Sequence, residues 1–162
     1  MWSMEYIPYF EDEGSRLMPD LPTIERPTIN AIIWNPLTDE ILCLDWEKFG
    51  WKTFVIGGIE DGEEPLTAAL REIEEETGYA GIELITDLGR LRSGYFAAHK
   101  NENRIADTTG LLFRLTSDER KEVPDAESLP HVFGWIPRND VEDYITLSSQ
   151  KYLWSKALPL LV

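Results

Sequence analysis

Short apolar runs, rich in β-branched and aromatic residues, dominate the first third of the chain. Polar segments separate them, and segment 35–39, with Asn35 and Pro36, predicts a hairpin between the first two runs. Similar runs return after the middle of the chain. The predicted strands are 28–34, 40–45, 51–56, 82–85, 94–99, 110–115 and 132–136, and two short helices are predicted at 140–144 and 148–158.

The clearest helix is predicted at residues 65–77. Pro65 suits the first turn of a helix, and Gly78 suits the left-handed residue just past its end. An apolar stripe at helical spacing predicts which face is buried. The residues of that stripe are Leu66, Ala69, Leu70, Ile73 and Thr77. Strands around one central helix predict an α+β fold, arranged as an α/β/α sandwich with a mixed β-sheet.

Residues 1–26 follow neither a strand period nor a helix period, and they mix aromatic residues, acids and prolines. We expect an irregular N-terminal extension at 1–26 and the main domain at 27–162. The extension could pack on its own domain or reach across a dimer. A homodimer is favoured, because four aromatic side chains of the extension would otherwise form a costly exposed patch. They are Trp2, Tyr6, Tyr9 and Phe10.

Length and composition describe one globular domain, with 162 residues of which 43% are hydrophobic. No apolar run approaches the ~20 residues that a membrane-spanning helix needs, so no membrane partner is expected. The N-terminus lacks the basic and apolar stretches of a signal peptide. The single cysteine, Cys43, excludes an intramolecular disulfide and favours a cytoplasmic location.

The charge balance narrows the class of ligand. Thirty acidic residues stand against fifteen basic ones, for a net charge of −15 at neutral pH. A chain this acidic repels nucleic acid backbones, so binding to bulk nucleic acid is disfavoured. The same charge is compatible with the binding of divalent cations.

Three glutamates on the predicted helix are the strongest chemical candidates. Glu72, Glu75 and Glu76 fall within an arc of about 100°, on the side away from the apolar stripe. Like charges at this spacing repel one another. A solvated acidic face is the ordinary explanation for such a run. The alternative is a site for a hard cation, for which the helix supplies oxygen ligands on a rigid element.

A longer pattern favours the cation site. The segment is Gly57-x5-Glu63-x7-Arg71-Glu72-Ile73-x-Glu75-Glu76-x-Gly78-Tyr79. It resembles the signature of the Nudix hydrolases at every fixed position. Two departures, Tyr79 where the family usually has an aliphatic residue and Ile56 where many members have proline, concern packing rather than chemistry.

The resemblance implies hydrolysis of a pyrophosphate bond in a nucleoside diphosphate linked to another moiety, with Mg²⁺ or Mn²⁺ and an activated water. Such a substrate is a small nucleotide, for example ADP-ribose, a dinucleoside polyphosphate or a (d)NTP. The implied metal ligands are Glu72, Glu75 and Glu76. Glu72 is also a candidate base, and Glu63 and Arg71 would brace the loop and the helix. Gly57 and Gly58 would let the backbone approach the site closely.

Segment 90–104 reverses the acidic charge of the chain. Arg92 and Lys100 are the candidates for contacts to phosphate or ribose, and a salt-bridged surface is the alternative. Aromatic residues that could stack a base, although core packing is their commoner role, are Trp46, Trp51, Phe54 and Tyr95. Downstream carboxylates that could bind a further metal ion are Glu102, Asp107, Asp118, Glu119, Glu122 and Glu127.

A second, less specific resemblance extends over most of the chain. Four stretches resemble the Nudix-type domain inserted in some bacterial leucyl-tRNA synthetases, namely 42–46, 49–55, 96–100 and 151–154. The synthetase's own nucleotide-binding motifs are absent, which excludes aminoacylation by this chain. Two functions remain, a metal-dependent pyrophosphohydrolase and a binding or accessory module. The enzyme is favoured, because binding alone would not require three carboxylates that repel one another.

Overall fold

Eight strands and three α-helices form in the computed structural model, which describes residues 6–123 and 130–162. The strands are β1 (Tyr9–Phe10), β2 (Thr23–Asn35), β3 (Glu40–Trp46), β4 (Trp51–Thr53), β5 (Val55–Gly58), β6 (Ile82–Ala97), β7 (Glu102–Leu115) and β8 (Val132–Pro137). The helices are α1 (Pro65–Thr77), α2 (Val141–Tyr144) and α3 (Ser148–Ala157). No helix in the described part of the chain is long and apolar enough to cross a membrane.

The strands build one mixed sheet. Its hydrogen-bonded order is β1-β6-β7-β2-β3-β4, with β5 paired to β2 and β8 paired to β3. β2 runs parallel to β7, and β1 runs parallel to β6. The other pairs are antiparallel. The mixed sheet and the α+β class predicted from the sequence are confirmed.

Helices cover both faces of the central strand β2. Successive side chains of a strand point to opposite faces. Ile33 accordingly packs in the same buried cluster as Ile73 of α1, whereas Ile32 packs in a second cluster with Leu153 of α3. We refer to these two sides of the sheet as the α1 face and the α3 face. The arrangement confirms the predicted α/β/α sandwich.

Strand lengths differ from the prediction on the far side of the sheet. Segments 82–85 and 94–99 belong mostly to a single strand, β6, because β7 supplies pairing partners for the polar residues between them. Two register shifts, between Leu84 and Thr86 and between Asp87 and Gly89, absorb the irregular part. β7 likewise extends eight residues before the predicted start at residue 110. Conversely, the predicted strand 51–56 divides into β4 and β5 at Phe54.

The N-terminal segment is more regular than predicted. Tyr9–Phe10 pairs in parallel with β6, and β2 begins at Thr23, before the expected boundary at residue 26. The ring of Phe10 lies 5.3 Å from that of Tyr152 on α3. The described part of the extension therefore packs on its own domain. Trp2 lies outside the described residues, and the homodimer stays a prediction.

The buried stripe of α1 is displaced from the predicted one. Ala68, Ala69, Ile73 and Thr77 are buried, whereas Leu66 and Leu70 are exposed. The helix packs tightly against the sheet through its small residues, so the leucines are left at its margin. This displacement brings the positions one and two turns beyond Ala68 to the edge of the buried face, and those positions are Glu72 and Glu76.

Candidate active site

The ends of α1 follow the local signals in the sequence. Pro65 occupies the first turn, and Gly78 closes the helix at φ +83° with its N–H donating to the carbonyl of Glu74. A Cβ at Gly78 would lie 2.1 Å from the carbonyl oxygen of Lys121, so a larger residue would clash with backbone as well as strain the turn. The helix is thus fixed at both ends, and its glutamates project from a rigid element.

Glu72 and Glu76 lie side by side, one helical turn apart, at the edge of the α1 face. Their side chains are 15% and 13% exposed. Burial, together with the neighbouring charge of Glu76, raises the pKa of Glu72 to about 7. Burial also raises the pKa of Glu76 above its usual range. Both carboxylates are therefore costly to hold as anions without a nearby cation.

His131 is the nearest imidazole to this pair. Its Nε2 lies 3.6 Å from Oε1 of Glu76, and its ring centroid lies 4.5 Å from that of Trp46 in an edge-to-face arrangement. The other carboxylate oxygen of Glu76, Oε2, is buried and has no hydrogen-bond partner among the described residues. A buried carboxylate oxygen without a partner is uncommon, and it marks a position where a cation would be stabilised.

Glu75 lies at the exposed rim beside this pair and shares Nη1 of Arg71 with Glu72. Its side chain is 60% exposed, and its nearest partner is Nη1 of Arg71 at 3.4 Å. Within residues 6–123 and 130–162, no three carboxylate, imidazole or thiolate groups lie together as a metal site. The structure thus brings two of the three predicted ligands together and leaves the third at the rim.

Arg71 and Glu63 form the bracing contact that the sequence predicts. The guanidinium donates from Nε and Nη2 to the two carboxylate oxygens of Glu63, at 2.9 and 2.8 Å, and Nη2 also donates to the carbonyl of Gly58 at 3.0 Å. Its Nη1 donates to Glu72 at 3.0 Å. The hydrogen bonds from Arg71 lower the pKa of Glu63 to about 2. One side chain therefore ties the loop before α1 to the first glutamate of the pair.

Gly57 and Gly58 differ in what they permit. A Cβ at Gly57 would lie 2.2 Å from Cδ of Glu72, so only glycine leaves room for that carboxylate. A Cβ at Gly58 would meet open space. The close approach expected from both glycines is thus required only at Gly57, and Gly58 contributes its carbonyl to Arg71.

A cavity of about 420 Å³ opens on the α3 face. Its walls come from β2, β5, β6, β7, the end of β3, the start of β4, the N-terminal segment and the start of α3. Gly57 and Gly58 border it, so the cavity and the glutamate pair meet at strand β5. The volume is typical of sites for small molecules.

Aromatic rings line one side of this cavity. Trp46, Trp51 and Tyr95 border it, and Tyr95 meets Trp51 edge to face at a centroid distance of 5.8 Å. Core packing, the commoner role for such residues, describes the fully buried Phe54 and part of the Trp46 side chain, which packs against the cluster on the α1 face. Three of the four aromatic candidates therefore face a space where a planar ring could lie.

The basic residues at the cavity are not the ones predicted. Arg92 pairs with Glu25 at 2.6 Å and Lys100 lies exposed on a turn after β6, so neither lines the cavity. Arg26 and Arg104 do. Side chains along a strand alternate between the two faces of the sheet, and Arg26 and Arg104 project from the side of β2 and β7 that faces the cavity. Arg92 thus belongs to a salt-bridged surface, the alternative to a phosphate or ribose contact.

A family comparison decides what this arrangement belongs to. The model of the NUDIX domain matches residues 25–157. The chain belongs to the NUDIX domain family. Over 71 residues this Nudix domain is 53% identical to Nudix hydrolase 25 of Arabidopsis thaliana, a match that covers 44% of this chain and 41% of that protein. The matched stretch is thus less than half the length of that relative.

Solved structures share the fold of this Nudix domain. The crystal structure of an Ap4A hydrolase of C. elegans is similar with a TM-score of 0.63 and 19% identity, covering 86% of this chain and 100% of that one. The NUDIX domain of Shewanella oneidensis NrtR complexed with ADP ribose is similar with a TM-score of 0.58 and 16% identity, covering 86% and 90%. At these identities the likeness shows the fold alone.

Several residues of this Nudix domain escape the sequence signals. His131 is buried beside Glu76, and Asn30 and Gln150 border the cavity, yet no local spacing marks any of them. The scarcity of histidine, with two in the whole chain, is the one available hint for His131. Of the downstream carboxylates, Glu102 pairs with Arg104 at 2.9 Å. Glu127 lies outside the described residues.

Proposed function

We propose that this Nudix domain hydrolyses a pyrophosphate bond in a nucleoside diphosphate linked to another moiety, such as ADP-ribose, a dinucleoside polyphosphate or a (d)NTP. The observation that carries this proposal is the half-buried pair Glu72 and Glu76, which meets the aromatic cavity at Gly57. A nucleotide whose base lies in the cavity extends its phosphates past Gly57 and Gly58 toward the carboxylates.

The donor atoms of the site fit Mg²⁺ or Mn²⁺. We assign Glu72, Glu75 and Glu76 as the metal ligands, since carboxylate oxygens are the donors that these hard cations prefer. The partnerless Oε2 of Glu76 and the raised pKa values of Glu72 and Glu76 support a cation at this place. A divalent ion bound here would lower the pKa of a bound water and neutralise charge on the leaving phosphate.

Protein groups have separate roles in the proposed reaction. Glu72 is the candidate general base, because a pKa of about 7 suits proton transfer near neutral pH. Arg71 and Glu63 are positioning residues, since their double hydrogen bond holds the loop against α1. Gly57 leaves space for Glu72, and Gly58 anchors the loop through its carbonyl.

The cavity provides the proposed nucleotide contacts. Trp51 and Tyr95 offer ring surface on which a base can stack. Arg26 and Arg104 replace Arg92 and Lys100 as the proposed phosphate contacts. Arg26 has no ion pair among the described residues, so its charge is available to an anion.

A binding or accessory module, of the kind inserted in some bacterial leucyl-tRNA synthetases, is the second candidate. One observation favours it: Glu75 is 60% exposed at the rim, so only Glu72 and Glu76 form the largely buried pair. In that case the cavity would bind a nucleotide with little or no hydrolysis.

One assay separates the two functions. The purified protein is incubated with ADP-ribose, dinucleoside polyphosphates, dNTPs and NADH, in Mg²⁺ and in EDTA. We expect turnover of at least one substrate in Mg²⁺ and none in EDTA. Equal turnover in EDTA would contradict the metal-dependent mechanism. Binding by calorimetry without turnover of any substrate would favour the accessory module.

Cellular setting and assembly are part of the same proposal. Cys43 is buried, and burial raises the pKa of its thiol to about 12, so the thiol is inert. A lone inert thiol suits the cytoplasmic location that we propose. We also propose a homodimer, which light scattering on the full chain and on a chain lacking residues 1–22 tests. A monomeric full chain would contradict the dimer.

A further inference from the structure

Two neutral side-chain amides form a buried pair in the wall of the aromatic cavity. Asn30 on β2 is 5% exposed and Gln150 on α3 is 2% exposed. Nε2 of Gln150 donates to Oδ1 of Asn30 at 3.0 Å. Oε1 of Gln150 accepts from the backbone N–H of Phe54 at 2.8 Å. Both amides border the cavity.

These contacts fix which way each amide points. The backbone N–H of Phe54 can only donate, so it requires the carbonyl oxygen of Gln150. The NH₂ group of Gln150 then faces Asn30 and requires the carbonyl oxygen of that residue. Turning either amide over would leave a buried donor unpaired, at a cost of about 1–3 kcal/mol. The orientation of Asn30 therefore follows from the backbone N–H of Phe54, which lies between β4 and β5.

The remaining group of the pair is the NH₂ of Asn30. Among the described residues Nδ2 of Asn30 has no hydrogen-bond partner, although its carbonyl oxygen is engaged. The neighbouring polar groups do not serve it, because the hydroxyls of Thr28 and Thr108 bond to each other at 2.8 Å. The cavity thus presents one oriented donor in a wall that it shares with Trp46 and Trp51.

We propose that Asn30 determines which nucleobase this domain accepts, by donating a hydrogen bond from Nδ2 to an acceptor on a base held against the aromatic rings, with Gln150 as the positioning residue. The inference rests on the proposed function only in taking the ligand to be a nucleotide. A base that presents a donor at this point leaves two donors facing each other. We expect a base with an acceptor at this point to bind with a Kd about tenfold or more lower than a base with a donor there.

Two substitutions reverse the polarity of the wall without changing its shape. Asn30→Asp replaces the NH₂ group by an acceptor oxygen and still accepts from Gln150. Gln150→Glu still accepts from the N–H of Phe54, but its second oxygen requires Asn30 to turn its NH₂ toward it. The carbonyl oxygen of Asn30 then faces the cavity. Both variants therefore convert a donor wall into an acceptor wall by different routes.

The test measures Kd by calorimetry for the pairs IMP and AMP, and UMP and CMP, in metal-free buffer at pH 8.5, where the new carboxylates are ionised. Members of a pair carry the same phosphate but exchange donor and acceptor on the base. The ratio of their Kd values therefore cancels the uniform effect of an added negative charge. Asn139→Asp, at an exposed position outside the cavity, is the matched control.

We expect the Kd ratio of at least one pair to change about tenfold, in the same direction in Asn30→Asp and Gln150→Glu, and to stay constant in the control. Thermal unfolding identifies any variant that fails to fold, and the other variant then decides. An unchanged ratio, opposite shifts in the two variants, or no binding of any of the four nucleotides by the wild type at millimolar concentration would overturn the proposal.

The outcome is independent of catalysis, because binding is measured without metal. A shifted ratio together with no hydrolysis supports recognition by Asn30 and contradicts the enzyme. Hydrolysis together with an unshifted ratio supports the enzyme and overturns the role of Asn30.

Discussion

The two faces of the sheet differ in charge and in how their groups are assembled. On the α1 face, the residues of the site are charged or lie beside charged side chains, and they come from one short segment of the chain. They are Gly57, Glu63, Arg71 and Glu72. On the α3 face, the polar groups of the cavity wall are mostly neutral amides, hydroxyls and aromatic side chains, and the wall residues come from segments spread between Asp12 and Gln150. The proposed reactive groups thus come from one local unit, whereas the proposed recognition groups are brought together only by the whole fold.

The faces also differ in what remains unsatisfied. Glu72 and Glu76 repel each other, and Arg71 offsets only part of that repulsion, so the proposed cation would complete this pair. The amides of Asn30 and Gln150 are hydrogen-bonded apart from one NH₂ group, which the proposed acceptor on a base would complete. Strand β5 borders both sites, and Trp46 at the end of β3 borders the cavity and contacts His131 beside Glu76. Because the two sites share little else among the described residues, we expect most changes on one face to leave the other face intact, which the following predictions test.

The largest effect is expected for Glu76→Gln on the α1 face. Gln keeps the size of the side chain but removes a formal charge beside the proposed cation, so kcat should fall by about 10²–10⁴-fold. The metal-free protein should keep its Tm, because a buried repulsive charge is relieved. Steady-state kinetics and thermal unfolding provide the two measurements. Glu83→Gln, exposed on β6, is the control. A lowered metal-free Tm would show Glu76 to be structural.

Gly57→Ala should disturb the same face through geometry alone. The new Cβ would need the space of the Glu72 carboxyl, and a displacement of about 1 Å at a catalytic group costs on the order of 10²-fold in rate. Gly58→Ala is a closely matched control, because its Cβ meets open space. The ratio of kcat between the two variants is the measurement. Equal kcat values for Gly57→Ala and Gly58→Ala would mean that catalysis does not depend on the present position of the Glu72 carboxylate.

Local signals explain how much of the α1 face is predictable. Pro65, Gly78 and the glutamate spacing all lie within one helix and its ends, so the helix and its acids follow from sequence alone. The predicted buried stripe was wrong at Leu66 and Leu70, because the helix turns Ala68 and Ala69 toward the sheet and leaves the two leucines at the margin of the contact. Glu75 was expected beside Glu72, but its arrangement depends on the contact with Arg71.

Long-range pairing explains why the α3 face was not predictable. Arg26 rather than Arg92 borders the cavity because of the register of β2 against β7, and no property of either arginine records that register. The same holds for Asn30, whose partner Gln150 is 120 residues away. The sequence predicted two strands in place of β6, because the polar residues in its middle become part of a strand only when β7 pairs with them.

The raised pKa of Glu72 makes stability depend on pH. Its folded value of about 7 lies above an unfolded value near 4.5, so the native state binds the proton more tightly. Stability is therefore highest at low pH for this group, and it is lost as the pH rises from about 4.5 to 7. In EDTA, we expect the free energy of unfolding to fall by on the order of 2 kcal/mol over this pH range, as measured by urea unfolding. Glu72→Gln should remove this part of the pH dependence, and an unchanged profile would contradict it.

The smallest effect, and the one that separates the faces most directly, is expected for Arg26→Ala. Arg26 borders the cavity without an ion pair among the described residues, whereas Arg92 is paired with Glu25 away from it. Loss of one exposed phosphate contact costs about 1 kcal/mol, so KM should rise about fivefold with kcat unchanged. Arg92→Ala should leave KM unaltered, since it removes the same charge from outside the cavity. Equal increases in KM would attribute the effect to net charge rather than to the α3 face, and a fall in kcat would place Arg26 in the chemistry of the α1 face.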